Sequence, residues 1–151
     1  FALALFFSPL VFSQLNEDES VQVPPDFGKA GEILVVNVNS PMLTDKKNDK
    51  LLETAEEVFG KNYTGKITIY DKKPGSYADT SKYRYMFVVF VEYSPATTIG
   101  RDRFPASTDY SFGVIDMVTQ KTYRQLRFGA YKKLMGLYVK KLEAMRKKNS
   151  G

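Results

Sequence analysis

The chain has 151 residues, 43% of them hydrophobic and 26% charged, enough for one globular domain with a sizeable core. It contains no cysteine and no histidine, which excludes disulfides, thiolate chemistry, and the commonest general base and metal ligand at neutral pH. The net charge of +5 is unevenly placed: seven Lys or Arg against one Glu between Ala130 and Lys148 make that stretch +6, so the remainder sums to −1.

Phe1 to Phe12 (FALALFFSPLVF) is apolar and uncharged, and too short for a span of about 20 residues. It reads as the apolar region of a secretory signal peptide, residues 1–13, whose charged start is missing; a buried strand or helix is the alternative. No transmembrane span is expected in the mature chain. Residues 14–31 are polar, acidic at Glu17-Asp18-Glu19, and include Pro24-Pro25. They read as a flexible leader, with the ordered domain, 32–148, beginning near Phe27 to Glu32 and a short tail at 149–151.

Ile33 to Val38 (ILVVNV) is a continuous apolar run suited to a central strand covered on both faces. Asp49 to Gly60 reads as a helix, with Leu51, Leu52, Ala55, Val58 and Phe59 on one face, Asn48 as N-cap and Gly60 as terminator. Gly65 to Asp71 alternates like a strand with one solvated face, so strand, helix and strand form a βαβ unit with parallel strands. Tyr83 to Tyr93 (YRYMFVVFVEY) is apolar on both parities and belongs in the middle of the sheet.

Ser94 to Asp109 reads as a long connection, and connections of that length are often functional. Arg101 and Arg103 within it can grip an anion, because guanidinium forks match carboxylate and phosphate. Pairing of both with Asp102 or another nearby carboxylate is the plainer reading. Ser111 to Val118 and Lys121 to Phe128 form a hairpin. Thr119-Gln120 is a poor two-residue turn, so the loop is expected to run from Val118 to Lys121. Asp116 lies in the first of these strands; accepting hydrogen bonds from the turn is favoured over catalysis, since the sequence puts no His or second carboxylate beside it.

Ala130 to Lys148 is the clearest helix. Tyr131, Leu134, Met135, Tyr138, Val139, Leu142 and Met145 make a stripe about 140° wide, as for a helix lying on a core. Lys132, Lys133 and Lys140 fall outside it, and Lys141 borders it. This basic face suits an acidic partner, an anionic lipid surface or an anionic polymer; a merely solvated face is the plainer reading. No nucleic acid is expected, because the sheet aromatics lack the Gly and aromatic pattern of an RNA-reading sheet. Asn62-Tyr63-Thr64 matches the N-glycosylation pattern.

Phe112-Gly113-Val114-Ile115-Asp116-Met117-Val118-Thr119-Gln120-Lys121-Thr122-Tyr123, followed by a helix, resembles the end of small bacterial envelope domains. These are the penicillin-binding-protein activator lipoproteins, the curli secretion lipoprotein and the amino-terminal domain of TolB. The chain departs from their pattern at Gln120, where Gly is usual, and has no Cys to carry a lipid. The resemblance implies an exported α+β accessory domain that binds protein. The expectation is a mixed sheet of about five strands with two helices packed on it, in the order β-α-β-β-β-β-α. The expected function is a periplasmic or secreted protein that binds another envelope component without catalysis or cofactor. Two alternatives stand: a small-anion or enzymatic site at residues 94–109 with Arg101 and Arg103, and anionic lipid or polymer binding through Lys132, Lys133, Lys140 and Lys141.

Overall fold

The computed structural model describes residues 21–73 and 75–151. The signal-peptide stretch 1–13 and leader residues 14–20 lie outside the described residues. The elements are β1 (Leu34–Asn37), α1 (Asp45–Asn62), β2 (Ile67–Ile69), β3 (Tyr85–Ser94), β4 (Thr97–Ile99), β5 (Asp102–Phe104), β6 (Ser107–Asp116), β7 (Thr122–Arg124) and α2 (Tyr131–Ser150). Five strands form a mixed sheet in the order β2-β1-β3-β6-β7, and β4 and β5 form a separate two-stranded sheet. The fold is α+β.

β1 runs parallel to both β2 and β3, as the βαβ pattern requires, while β3, β6 and β7 are antiparallel. The registers align Val36 with Phe87 and Phe87 with Val114. These side chains therefore share one face, and both helices pack there, through Leu51, Ala55, Val58 and Phe59 from α1 and Leu134, Met135, Tyr138, Val139 and Leu142 from α2. Phe87 is at the centre, edge-on to Phe59 at 5.1 Å and stacked on Phe112 at 5.6 Å. Each such side chain fully buried is worth about 1.5–3 kcal/mol. The alternate residues of β3, including Met86, Val88 and Phe90, are only half-buried. The Arg124 guanidinium lies 3.9 Å from the Phe90 ring and covers part of that second face.

Several boundaries differ from expectation. α1 begins at Asp45, because Thr44 rather than Asn48 caps it, its side chain accepting from the Lys47 N–H at 3.3 Å. Asn48 instead clamps the preceding loop: it accepts from the Ser40 N–H at 2.9 Å and donates to the Ser40 carbonyl at 3.0 Å. Gly60 lies inside the helix, which ends at Asn62. The segment 94–109 is not a loop; it is a β-arm made of β4, β5 and the extended ends of β3 and β6. The tail does not fray, since α2 runs on to Ser150 and Asn149 donates to the carbonyls of Pro25 (2.8 Å) and Phe27 (2.7 Å). Those contacts hold in place part of the stretch read as a flexible leader. Phe27 is buried in the core, and Val21 and Val23 pack against it.

Two glycines are required by close approach. Gly28 has φ +89°, and a Cβ there would lie 2.8 Å from the Arg146 Cα. A Cβ on Gly113 in β6 would lie 2.6 Å from the Tyr123 carbonyl oxygen, so that position lets β7 pack down on β6.

Candidate functional site

The two buried carboxylates come first, because they are the groups to examine for catalysis. Asp116 closes the β6–β7 hairpin. Its Oδ1 accepts from the N–H groups of Val118 (2.9 Å) and Thr119 (3.3 Å). Arg84, whose role is not visible from the hairpin sequence, donates to it through Nε (3.3 Å) and Nη2 (3.0 Å). Burial pushes the carboxyl pKa up, but Arg84 and the two N–H donors outweigh it and hold the pKa below the usual value. The turn role expected for Asp116 is the one observed. The turn also carries Gln120 at φ +60°, in the left-handed region.

Glu143 is the second. It is only 7% exposed. It accepts from the Thr64 N–H (2.9 Å), the Thr64 hydroxyl (2.7 Å) and Arg146 Nη2 (2.6 Å). Arg146 also donates to Thr64 Oγ1. Burial again pushes this carboxyl up; Arg146 and Thr64 overcome it and bring the pKa down to about 2. Both carboxylates are thus held ionised by donors that use their oxygens, which suits fixing chain segments and not moving protons near neutral pH. Desolvation likewise raises the Tyr85 phenol to about 12. Thr64 of the Asn62-Tyr63-Thr64 pattern is tied into this network, and the Asn62 amide donates to the Val58 carbonyl at 3.0 Å.

The four lysines of α2 separate into two groups. Lys132 lies 3.5 Å from Glu57 on α1, and Lys133 is exposed nearby on the first turn. Lys140 and Lys141 instead line a groove of about 840 Å³ between α2, the β6–β7 turn and residues 21–23. Its floor is apolar: Val21, Val23, Tyr123, Leu137, Ala144 and Met145. Lys121 and Lys148 complete a cationic rim, and no carboxylate lines the groove among the described residues. Lys121 sits 4.9 Å from the Tyr123 ring. The sequence reading missed Lys121, Lys148 and the floor, because they come from three separate segments. The available signal was Leu137, an apolar residue off the core stripe that is 46% exposed.

Arg101 and Arg103 sit on the arm, at the other end of β6 from the groove. β4 and β5 pair Ile99 with Asp102, leaving Gly100-Arg101 as a two-residue turn. Gly100 has φ +64°, as the first central residue of a type II′ turn requires. Every residue of β4 and β5 is exposed, and the two strands pack chiefly on each other. No ion pair joins Arg101 or Arg103 to Asp102 among the described residues. Tyr93, Ile99 and Phe104 are 59%, 68% and 49% exposed beside them. The arm is not a lid over the groove, which takes no residue from it.

Among the described residues, no helix is long and apolar enough to cross a membrane, and no cluster of three or more acidic residues is placed to hold a metal ion. No family model and no curated protein matches the chain. Solved structures do, two PelC dodecamers among them. One is a variant of the PelC dodecamer from Paraburkholderia phytofirmans: 18% identity, 82% of this chain and 96% of that chain covered, TM-score 0.50. The likeness is one of fold. A second PelC dodecamer structure from the same organism has 17% identity, with 79% and 91% covered and a TM-score of 0.49.

Proposed function

We propose that the chain is an exported accessory protein of the cell envelope that binds another envelope component and performs no catalysis. The observation that carries this reading is the arm. A two-stranded hairpin is marginal alone in water. This one presents exposed Ile99 and Phe104 with Arg101 and Arg103, and nothing else among the described residues covers them. Aromatic and arginine side chains grouped in this way are the composition of protein-binding hot spots. The engagement of both buried carboxylates in structural networks supports the non-catalytic part. The resemblance of Phe112 to Tyr123 to envelope accessory domains supports the location, periplasmic or secreted.

Arg101→Ala combined with Arg103→Ala should weaken capture of the envelope partner about 10- to 100-fold. Both residues are exposed and make no contact that holds the fold among the described residues, so the melting temperature should stay within about 2 °C. Binding measured on immobilised chain, alongside calorimetry, checks both halves. Unchanged binding removes the arginines from the account.

A second reading makes the arm's partner another copy of this chain. The PelC structures are dodecamers, and this chain shares their fold. Light scattering distinguishes the two: a defined oligomer that the arginine replacements dissociate favours self-assembly, and a monomer favours a different partner.

A further inference from the structure

We propose that the cleft between the first two turns of α1 and the Tyr110–Tyr131 pair binds a phosphomonoester group. The cleft has a volume of about 390 Å³, within the range of small-ligand sites. Lys46, Lys47 and Lys50 line it from α1, and Tyr110 and Tyr131 line it from β6 and the start of α2. Tyr110 is only 8% exposed, and its ring meets that of Tyr131 at 5.4 Å and 77°. Its hydroxyl makes no hydrogen bond among the described residues. It is not sealed in as the Tyr85 hydroxyl is, so a ligand in the cleft can reach it. Burial raises the phenol pKa, with Tyr131 and Asp109 adding to the effect, so at neutral pH this hydroxyl is a donor.

Charge selects the class of ligand. None of the three lysines forms an ion pair among the described residues. The acidic residues of the same turns face elsewhere: Asp45 and Asp49 line a separate recess with Asn37 and Tyr70. Glu53, one turn beyond Lys50, is exposed and makes no ion pair with it. Asp109 precedes Tyr110 in β6 and so points from the opposite face of the sheet. Lys46 and Lys50 are four residues apart, a spacing at which like charges repel on a helix. An anion between them relieves that repulsion, and one with two charges answers three ammoniums better than a single carboxylate does. Both helices also begin here: Thr44 caps α1, and α2 starts at Tyr131 with no side-chain cap and no acidic residue in its first turn. Their positive ends add to the same preference. The cleft takes no residue from β4 or β5, so this site and the arm can fail independently.

The test is calorimetric titration of the full chain with glycerol 3-phosphate, glycerate and glycerol, and with phosphatidylcholine vesicles with and without phosphatidate, which carries the same phosphomonoester on a lipid. One glycerol 3-phosphate should bind per chain, at least about tenfold more tightly than glycerate, with glycerol silent. Its affinity should rise several-fold between about pH 5 and pH 7, because the phosphate takes its second charge near pH 6. Lys46→Ala with Lys50→Ala should lower the affinity at least about tenfold at low salt and less at physiological salt. Both positions are exposed and Ala is the better helix former, so the helical circular dichroism should be retained. Lys147→Ala with Lys148→Ala removes the same charge at the far end of α2 and should change affinity by about twofold or less. Tyr110→Phe removes the hydroxyl alone and should cost about tenfold without lowering the melting temperature. Tighter binding to phosphatidate vesicles than to glycerol 3-phosphate, with the same losses in Lys46→Ala with Lys50→Ala and in Tyr110→Phe, assigns the group to a lipid head; the reverse order assigns it to a soluble ligand. The proposal is overturned if neither glycerol 3-phosphate nor phosphatidate binds, or if glycerate binds equally well. It is also overturned if the two lysine pairs cost the same, or if Tyr110→Phe is without effect.

Discussion

Replacing Glu143 by alanine should lower the unfolding free energy by about 3–5 kcal/mol, measured by urea denaturation at pH 7. The reason is geometric. Glu143 ties α2 to the α1–β2 connection through Thr64, and its partner Arg146 packs on Gly28. Its removal orphans the Thr64 N–H and hydroxyl and leaves Arg146 without its carboxylate. Arg146 cannot swing away freely, because its guanidinium lies 5.6 Å from the Tyr63 ring and its backbone is pressed against Gly28. The sign of the pH dependence follows. The folded pKa of about 2 lies below the ordinary 4.5, so the stabilisation is fully present above about pH 4.5. It is lost as the pH falls from there towards 2, and amounts to about 3 kcal/mol. Glu143→Gln keeps the shape and one acceptor, so it should cost less at pH 7 and should flatten the acid limb of the stability curve. A parent-like acid limb in that variant would remove Glu143 from the account.

Asp116→Ala is the second large effect, with an expected loss of about 2–4 kcal/mol. It strips the acceptor from the Val118 and Thr119 N–H groups and leaves Arg84 unpaired beside a buried strand end. Hydrogen exchange should show the damage first in residues 117–121, beside the lost acceptor, and less along β7, which Tyr138, Ser111 and Gln22 also hold. The Asp116 carboxyl is also held below its ordinary value of 3.8, so its contribution is present above that value and declines as the pH falls through it. Asp116→Asn retains an acceptor for the turn but not the ion pair, so a smaller loss would apportion the effect between them. Protection at 117–121 equal to the parent in Asp116→Ala would contradict the turn role.

What the sequence made visible, and what it hid, divides along physical lines. The core stripe of α2 was legible because burial imposes a period, and β3 because its run is apolar on both parities. The Asp116 turn was legible because an acceptor before a poor two-residue turn has a local use. The arm was not, because β4 and β5 are three residues each and exposed on both faces, so no alternation marks them. The start of α1 was misplaced because Asp45, Lys46 and Lys47 carry no apolar signal, while Asn48 has the chemistry of a cap and uses it on Ser40 instead. Phe27 stood in a polar, proline-containing stretch, and the groups that hold that stretch, Tyr138 and Asn149, lie more than a hundred residues away. The groove was hidden for the same reason: its rim joins lysines from the hairpin turn and from α2.

The measurement that tests the account most directly is paired capture. The full chain and its Ile99→Asp, Phe104→Asp variant are immobilised and exposed to the same detergent-solubilised envelope fraction at moderate salt. The account predicts one component retained by the parent in near-equal amount, and lost from the variant while its melting temperature is unchanged. Retention of that component by both proteins, or a parent that captures nothing and remains a monomer in light scattering, would contradict it.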